Sequence, residues 1–169
     1  MDFTEYKLGE QDKIIHLDTM DDNRSAVNAL AQQCHRTLHI QSYDLDPLIY
    51  DNAEFIEAVR QIAINSTRAT IQILLEDSRK VVSHGHRLIE LARKLSTYIE
   101  IRKINTDLKN ITEAFLVADE TGLVFRKQAH RYEGIVNFND RGRCRQVLSD
   151  FNDSWEKSAP DPELRRLHL

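Results

Sequence analysis

The sequence has little of what marks exported, disulfide-stapled or membrane-spanning proteins. Its 169 residues include 2 cysteines, Cys34 and Cys144, which do not form a CxxC pair. That spacing favours two buried free thiols over a single disulfide bond. No run approaches the roughly 18 consecutive apolar residues that a transmembrane helix requires, and the first 13 residues lack an export signal. We therefore expect no membrane association and a cytoplasmic location.

Glycine and proline are also scarce, and no repeat, linker or low-complexity segment divides the chain. The sequence has 5 glycines and 3 prolines, with 41% apolar and 30% charged residues. This composition is typical of an ordered globular domain and excludes a disordered or fibrous chain. We expect a single domain over residues 1–169.

The charges are distributed unevenly along the chain. Residues 1–78 carry 6 Lys and Arg against 14 Asp and Glu, whereas residues 79–145 carry 14 against 8, although the formal net charge is −4. A locally basic half attracts anionic ligands or partners, and the alternative is that these cations are solvated side chains of helices and strands.

Apolar residues follow a helical period and a strand period in turn. Val27, Leu30, Ala31 and Cys34 are spaced as one face of a helix, and the β-branched run around Ile71 indicates a buried strand. Continuing in this way, the pattern predicts the order β-α-β-α-β-α-β-β-β-β-α. Helices that alternate with buried strands indicate an α/β fold with a mixed, largely parallel sheet and helices on both faces.

Three boundaries in this pattern are specific enough to test. Residues 119–122, Asp-Glu-Thr-Gly, separate two apolar strands and predict a hairpin turn. Ser83 is placed as the start of the third helix, where Ser83 and Gly85 would offer backbone amides to an anion. Asp140 is placed as the cap of a last helix that buries Phe151 and Trp155.

The segment from residue 108 to 122 resembles a motif of the phospholipase D superfamily. Active members of that family carry His-x-Lys, four further residues and Asp on one strand. Counted back from Asp119, the lysine position falls on Ala114 and the histidine position on Thr112. The Phe-x-x-x-Trp spacing of the last helix is also similar to the family's final helix. The resemblance covers a core of about residues 22–157, followed by a short polar tail, 158–169.

The resemblance implies one half of a phospholipase D-like unit whose catalytic motif is degenerate, as in uncharacterised bacterial proteins. Attack on phosphorus needs an imidazole nucleophile and a cation on the phosphoryl oxygens. Neither Thr112 nor Ala114 supplies one, so we expect no phosphodiesterase activity and no catalytic residue of this type. Asp119 alone matches the motif, and an acidic residue that opens a turn is its simpler interpretation.

Two clusters are candidate anion-binding sites. His84, His86 and Arg87 lie between a buried strand and the next helix, where the strand ends of α/β sheets border a ligand crevice. Arg126 and Lys127 follow the hairpin strand, at a position that can share a sheet edge with Arg102. Solvated loops are the alternative interpretation of both clusters.

The sequence predicts no cofactor and no metal site, because no histidine or cysteine spacing matches a zinc site. The leading hypothesis is a catalytically inactive module that binds an anionic ligand, a nucleic acid or a protein partner. The alternatives are an enzyme with a different constellation around His84 or His86, with Glu76 or Asp77 as the acid, and a structural domain that forms a homodimer.

Overall fold

The fold is an eight-stranded sheet with helices on both faces, seen in a computed structural model that describes residues 1–165. Within those residues the strands are β1 Ile15–Leu17, β2 Thr37–Ser42, β3 Thr70–Leu75, β4 Ile99–Lys103, β5 Ala114–Ala118, β6 Gly122–Arg126, β7 Gly134–Asn137 and β8 Ala159–Pro160. The helices are α1 Met20–Gln33, α2 Pro47–Tyr50, α3 Ala53–Asn65, α4 Arg79–His84, α5 Arg87–Lys94, α6 Arg141–Glu156 and α7 Pro162–Arg165.

The sheet is mixed, but the prediction that it is largely parallel is wrong. The strand order is β1-β7-β6-β5-β2-β3-β4-β8, and only the β2–β3 and β3–β4 pairs are parallel. The other five pairs are antiparallel. Parallel neighbours need a long crossover, which a helix provides only between β2, β3 and β4. The connections from β4 to β5, from β5 to β6 and from β6 to β7 carry no helix, so β5, β6 and β7 form an antiparallel meander.

Two hydrophobic clusters occupy the two faces of the sheet, as the sequence predicts. One face packs against α1, α3 and α5 and buries Leu30, Phe55 and Leu88, while the other packs against α6. Strand β5 contributes to both clusters, because Leu116 lies on the first face and Phe115 and Val117 lie on the second. The α/β architecture with helices on both faces is therefore confirmed.

The hairpin and the last helix have the predicted boundaries. Strands β5 and β6 are joined at Asp119 and Glu120, both with positive φ, and Thr121 N donates to the Ala118 carbonyl oxygen. Two successive residues in the left-handed region define the turn type that fits the twist of a hairpin. Helix α6 begins after Asp140, whose side chain accepts a hydrogen bond from Arg143 N.

The predicted start of the third helix at Ser83 is wrong. Ser83 lies inside the short helix α4, and Gly85, with φ of 76°, separates α4 from α5. Helix α5 begins after His86, whose Nδ1 accepts a hydrogen bond from Leu88 N at 3.1 Å. An imidazole nitrogen thus takes the capping role that the sequence pattern assigns to a serine.

Much of the expected polar tail is attached to the sheet. Strand β8 pairs with the edge of β4, and Asp161 accepts a hydrogen bond from the Ser78 hydroxyl at 2.6 Å. Leu164 is buried, and its carbonyl oxygen accepts a hydrogen bond from Arg93. Residues 166–169 of that tail lie outside the described part of the chain.

Replacing Trp155 with alanine is expected to lower the free energy of unfolding by about 3–5 kcal/mol, the usual cost of truncating a buried aromatic residue. Trp155 is 7% exposed, stacks on Phe151 at 5.6 Å between ring centroids and lies under the Arg102 guanidinium. Urea titration of the two proteins measures the loss. Ile64→Ala is the control, because Ile64 is exposed on α3. An unfolding midpoint for Trp155→Ala equal to that of the control would contradict a core role.

Candidate functional site

Two of the three positions that correspond to the phospholipase D motif, Thr112 and Ala114, lie at the same end of the sheet. The parallel strands β2, β3 and β4 end there, as does β6, and β5 begins there, because β5 runs antiparallel to β2 and β6. We call the residues that follow β2, β3, β4 and β6, or precede β5, the upper edge. Ligand crevices of α/β sheets form outside such strand ends.

Thr112 and Ala114 lie at the upper edge and differ in exposure. Thr112 is exposed, and its carbonyl oxygen accepts a hydrogen bond from Ala129 N at 2.8 Å. Ala114 is 1% exposed and lies directly opposite Arg126 on β6. Opposite residues of an antiparallel pair project from the same face of the sheet. The methyl group of Ala114 is therefore a buried neighbour of the Arg126 side chain.

Arg126 is held by backbone carbonyl groups rather than exposed at the upper edge. Its side chain is 4% exposed, and Nη1 donates to the carbonyl oxygens of Ala129 at 3.2 Å and Arg131 at 2.9 Å. The guanidinium lies 5.9 Å from the ring centroid of Tyr132. The Tyr132 hydroxyl donates to Asp46 Oδ2 at 3.0 Å. Arg126, Tyr132 and Asp46 thus form a network that fills the face beside Ala114.

Two tyrosines of this region, Tyr50 and Tyr132, are affected by burial and by the nearby Asp46 carboxylate. Burial raises the pKa of Tyr50 to about 12, with the Asp46 carboxylate acting in the same direction and Arg126 opposing it. Burial also raises the pKa of Tyr132, and Asp46 adds to the effect. Both hydroxyl groups therefore stay protonated, and the Tyr132 hydroxyl donates a hydrogen bond to Asp46. They are not poised as nucleophiles.

Three of the anion-binding candidates, His84, His86 and Arg87, lie near α5, and each makes different contacts. Arg87 donates to Asp51 at 2.6 Å through Nε and to the Asp51 carbonyl oxygen through Nη2. His86 is buried as the α5 cap, and burial lowers its pKa. His84 is exposed at the end of α4, with Nδ1 at 3.0 Å from the Ser83 hydroxyl oxygen. The structure shows no contact between His84 and Arg87 or Arg126 among residues 1–165.

Arg102 and Lys127 are also in different surroundings. Arg102 lies 4.5 Å over the Trp155 ring, donates to the Trp155 carbonyl oxygen at 3.0 Å and reaches Glu100 at 3.1 Å. Lys127 is exposed, and so is Arg131, with neither side chain forming a salt bridge in the part of the chain that the structure describes. Of the six candidates, Lys127 alone is an exposed cation without an acidic partner there.

Asp119 lies at the opposite end of β5 from Thr112 and binds backbone amides. Its carboxylate accepts hydrogen bonds from His35 N at 2.7 Å, Arg36 N at 2.8 Å and Thr37 N at 3.0 Å. Asp119 N in turn donates to the Thr37 carbonyl oxygen. The residue that matches the family motif therefore joins the β5–β6 turn to the start of β2.

The sequence offered only a partial signal for the network at the upper edge. Asp46 caps α2, because its Oδ1 accepts a hydrogen bond from Leu48 N. Its contact with Tyr132 joins residues 86 positions apart, which no local pattern encodes. Among residues 1–165, no group of three or more His, Cys, Asp or Glu side chains is arranged to hold a metal ion. Over the same range no helix is long and apolar enough to cross a membrane.

Solved structures similar to this fold include phospholipase D-family proteins and a DNA-binding protein. Nuc from Salmonella typhimurium, a phospholipase D family member, matches with a TM-score of 0.60 and 10% identity over 89% of this chain and 99% of that one. TrmBL2, an archaeal chromatin protein whose structure shows a novel mode of DNA binding, matches with a TM-score of 0.65 and 14% identity. That match covers 90% of this chain but only 55% of TrmBL2. Phosphatidylserine synthase from Haemophilus influenzae Rd KW20 matches with a TM-score of 0.61 and 12% identity, over 93% of this chain and 41% of that one.

The fold is thus that of a phospholipase D-like domain. At these identities the likeness concerns the fold alone. The chain itself belongs to a family described as a domain of unknown function, DUF7931, whose model matches residues 19–167. No curated protein matches the sequence.

Asp119→Ala is expected to lower the free energy of unfolding by roughly 1.5–3 kcal/mol, the range for hydrogen bonds to a charged group. The variant leaves the amides of residues 35–37 without their acceptor. Asp119→Asn keeps one acceptor oxygen and should lose less. Glu120→Ala is the matched control, since Glu120 shares the turn and its positive φ but is exposed. Chemical denaturation measures the free energy of unfolding of each variant. Equal losses at positions 119 and 120 would contradict the role of the Asp119 carboxylate in joining the β5–β6 turn to the start of β2.

Proposed function

We propose that this chain is a non-catalytic phospholipase D-like module that binds an anionic ligand, such as a nucleic acid, at its upper edge. The observation that carries the proposal is the replacement of the family's two catalytic side chains by Thr112 and the buried Ala114. The face on which those side chains would project holds the network of Arg126, Tyr132 and Asp46. We also propose that the module acts in the cytoplasm.

His86, one of the two histidines considered as an alternative nucleophile, is poorly placed for that role. His86 uses Nδ1 to accept the Leu88 amide, and its Nε2 is buried without a hydrogen-bond partner among residues 1–165. The acids proposed to work with it are engaged elsewhere, because Glu76 accepts from Ile111 N and Asp77 pairs with Arg79. General base catalysis needs an acid or base within hydrogen-bond reach of the reacting group. An enzyme built on His84 or His86 is therefore the weaker alternative.

The exposed cations support anion binding at the upper edge. Several basic residues of that region are neutralised locally, as in the Arg87–Asp51 and Lys80–Asp44 pairs. Lys127 and Arg131, on the loop after β6, are exposed and have no acidic partner within residues 1–165. Unpaired exposed cations attract phosphates through released counterions. The similarity in fold to TrmBL2, an archaeal chromatin protein that binds DNA, supports nucleic acid as the ligand class.

A protein partner is the second candidate, and one observation favours it. Leu108 is 64% exposed on the loop between β4 and β5, close in sequence to Thr112. Exposed large apolar residues beside a polar rim are common at protein interfaces. A second copy of the chain is included among such partners, because half-units of this superfamily often pair.

The protein is expected to hydrolyse no phosphodiester. Incubation with bis(p-nitrophenyl) phosphate, followed by absorbance, should give the same rate for the wild type and for Thr112→Ala, because position 112 supplies no nucleophile. Thr112→Ala controls for a contaminating activity. Turnover by the wild type that this variant abolishes would overturn the non-catalytic proposal.

Lys127→Glu is expected to weaken binding to a fluorescent single-stranded oligonucleotide at low salt. It should also reduce the slope of log K against log salt by about 1, as for the loss of one phosphate contact. Fluorescence polarisation measures both effects. The matched control is Arg68→Glu, the same charge change on an exposed residue that precedes β3 at the other end of that strand. No binding by the wild type, or equal effects of the two variants, would leave the protein partner as the better proposal.

A further inference from the structure

A cavity lies at the end of the sheet opposite the upper edge. It occupies about 360 Å³ between the β5–β6 turn and the first half of α6. Its lining includes His39 from β2, Asp119, Glu120 and Thr121 from the turn, and a row of polar side chains on α6: Arg141, Arg145, Ser149 and Asn152. Its volume is at the small end of the range for small-molecule sites.

His39 is the observation that marks this cavity as more than a surface depression. The residue is 8% exposed, yet its Nδ1 has no hydrogen-bond partner among residues 1–165. The ring is held edge-on against Phe151, with 5.2 Å between ring centroids. A buried polar atom without a partner is costly, and native proteins rarely keep one. The His39 ring lines the cavity, although Nδ1 itself is closed off from solvent, so a molecule bound in the cavity packs against the imidazole.

Arg141 and Arg145 supply positive charge at the mouth of the same cavity. They are four residues apart on α6 and therefore lie on one face of the helix. Both are exposed, and neither forms a salt bridge in the described chain. The neighbouring acid Asp119 is already engaged by three backbone amides. The Asp140 side chain is engaged as the α6 cap, which leaves Glu120 as the acceptor that lines the cavity.

We propose that this cavity binds a small phosphate monoester that carries hydroxyl groups, such as a sugar phosphate or a nucleoside monophosphate. Two guanidinium groups suit a phosphate, because each can donate two parallel hydrogen bonds to its oxygens. The hydroxyl groups of the ligand match Glu120 as acceptor and Ser149 and Asn152 as polar neighbours. The His39 ring, which lines the cavity, packs against the bound ligand.

This site is independent of the anion-binding function proposed for the upper edge. The two lie at opposite ends of β5 and share no residue. Charge reversal at one of them therefore serves as the control for the other.

The test is a titration of the full chain with adenosine 5′-monophosphate and with ribose 5-phosphate, followed by NMR of the assigned His39 ring. We expect saturable shifts of the His39 resonances with a Kd of about 1 mM or tighter. Adenosine, which lacks the phosphate, should give none. Arg145→Glu should weaken binding about tenfold or more, because a charge-assisted bond becomes a repulsion. Arg141→Glu should act in the same direction.

Lys127→Glu is the matched control and should bind both phosphates like the wild type. The two α6 variants should stay folded, because both arginines are exposed and an acid near a helix N-terminus is favourable. Far-UV circular dichroism checks this. Absence of saturable His39 shifts with both phosphates would overturn the proposal. Binding that Arg141→Glu and Arg145→Glu leave unchanged, or that Lys127→Glu removes, would overturn it as well.

Discussion

The antiparallel pairing of β2 with β5 is the contact on which the rest of the sheet depends. Strand β2 leads to the parallel strands β3 and β4, and β5 leads to the meander of β6, β7 and β1. Four residue pairs, from Leu38–Ala118 to Gln41–Phe115, join these halves. Side-chain bonds secure both ends, because Gln41 donates to the Glu113 carbonyl oxygen and Asp119 holds the backbone before β2. A slip of one residue would turn every side chain of β5 to the wrong face.

Elements with a strong local pattern were predictable from the sequence. The α6 stripe, its Asp140 cap and the turn at Asp119 depend on residues a few positions apart, and the structure confirms all three. Strand pairing was less accessible, because a buried apolar strand such as β5 reads alike beside parallel or antiparallel neighbours. The start of α5 was predicted wrongly because histidine, which caps this helix at His86, is not among the preferred cap residues.

The sequence places more basic residues near the candidate site than there are cations available to a ligand in the folded protein. Arg126 was predicted as an exposed cation, but the carbonyl groups of residues 129 and 131 draw its side chain inside. The Arg102 guanidinium lies over the Trp155 ring, and Arg87 forms a salt bridge with Asp51. These contacts join distant parts of the chain, so they depend on the fold and leave no mark in local sequence. The cations that remain available to a ligand at the upper edge are a few exposed side chains such as Lys127.

The short strand β8 also determines which surface of the sheet is available to other chains. It spans two residues and covers only the end of β4, at Arg102 and Lys103. The Ser78–Asp161 and Arg93–Leu164 hydrogen bonds keep the surrounding segment in place. An uncovered strand edge is a template for the backbone of another polypeptide. The segment after α6 therefore keeps the end of β4, at Arg102 and Lys103, from pairing with the backbone of another chain.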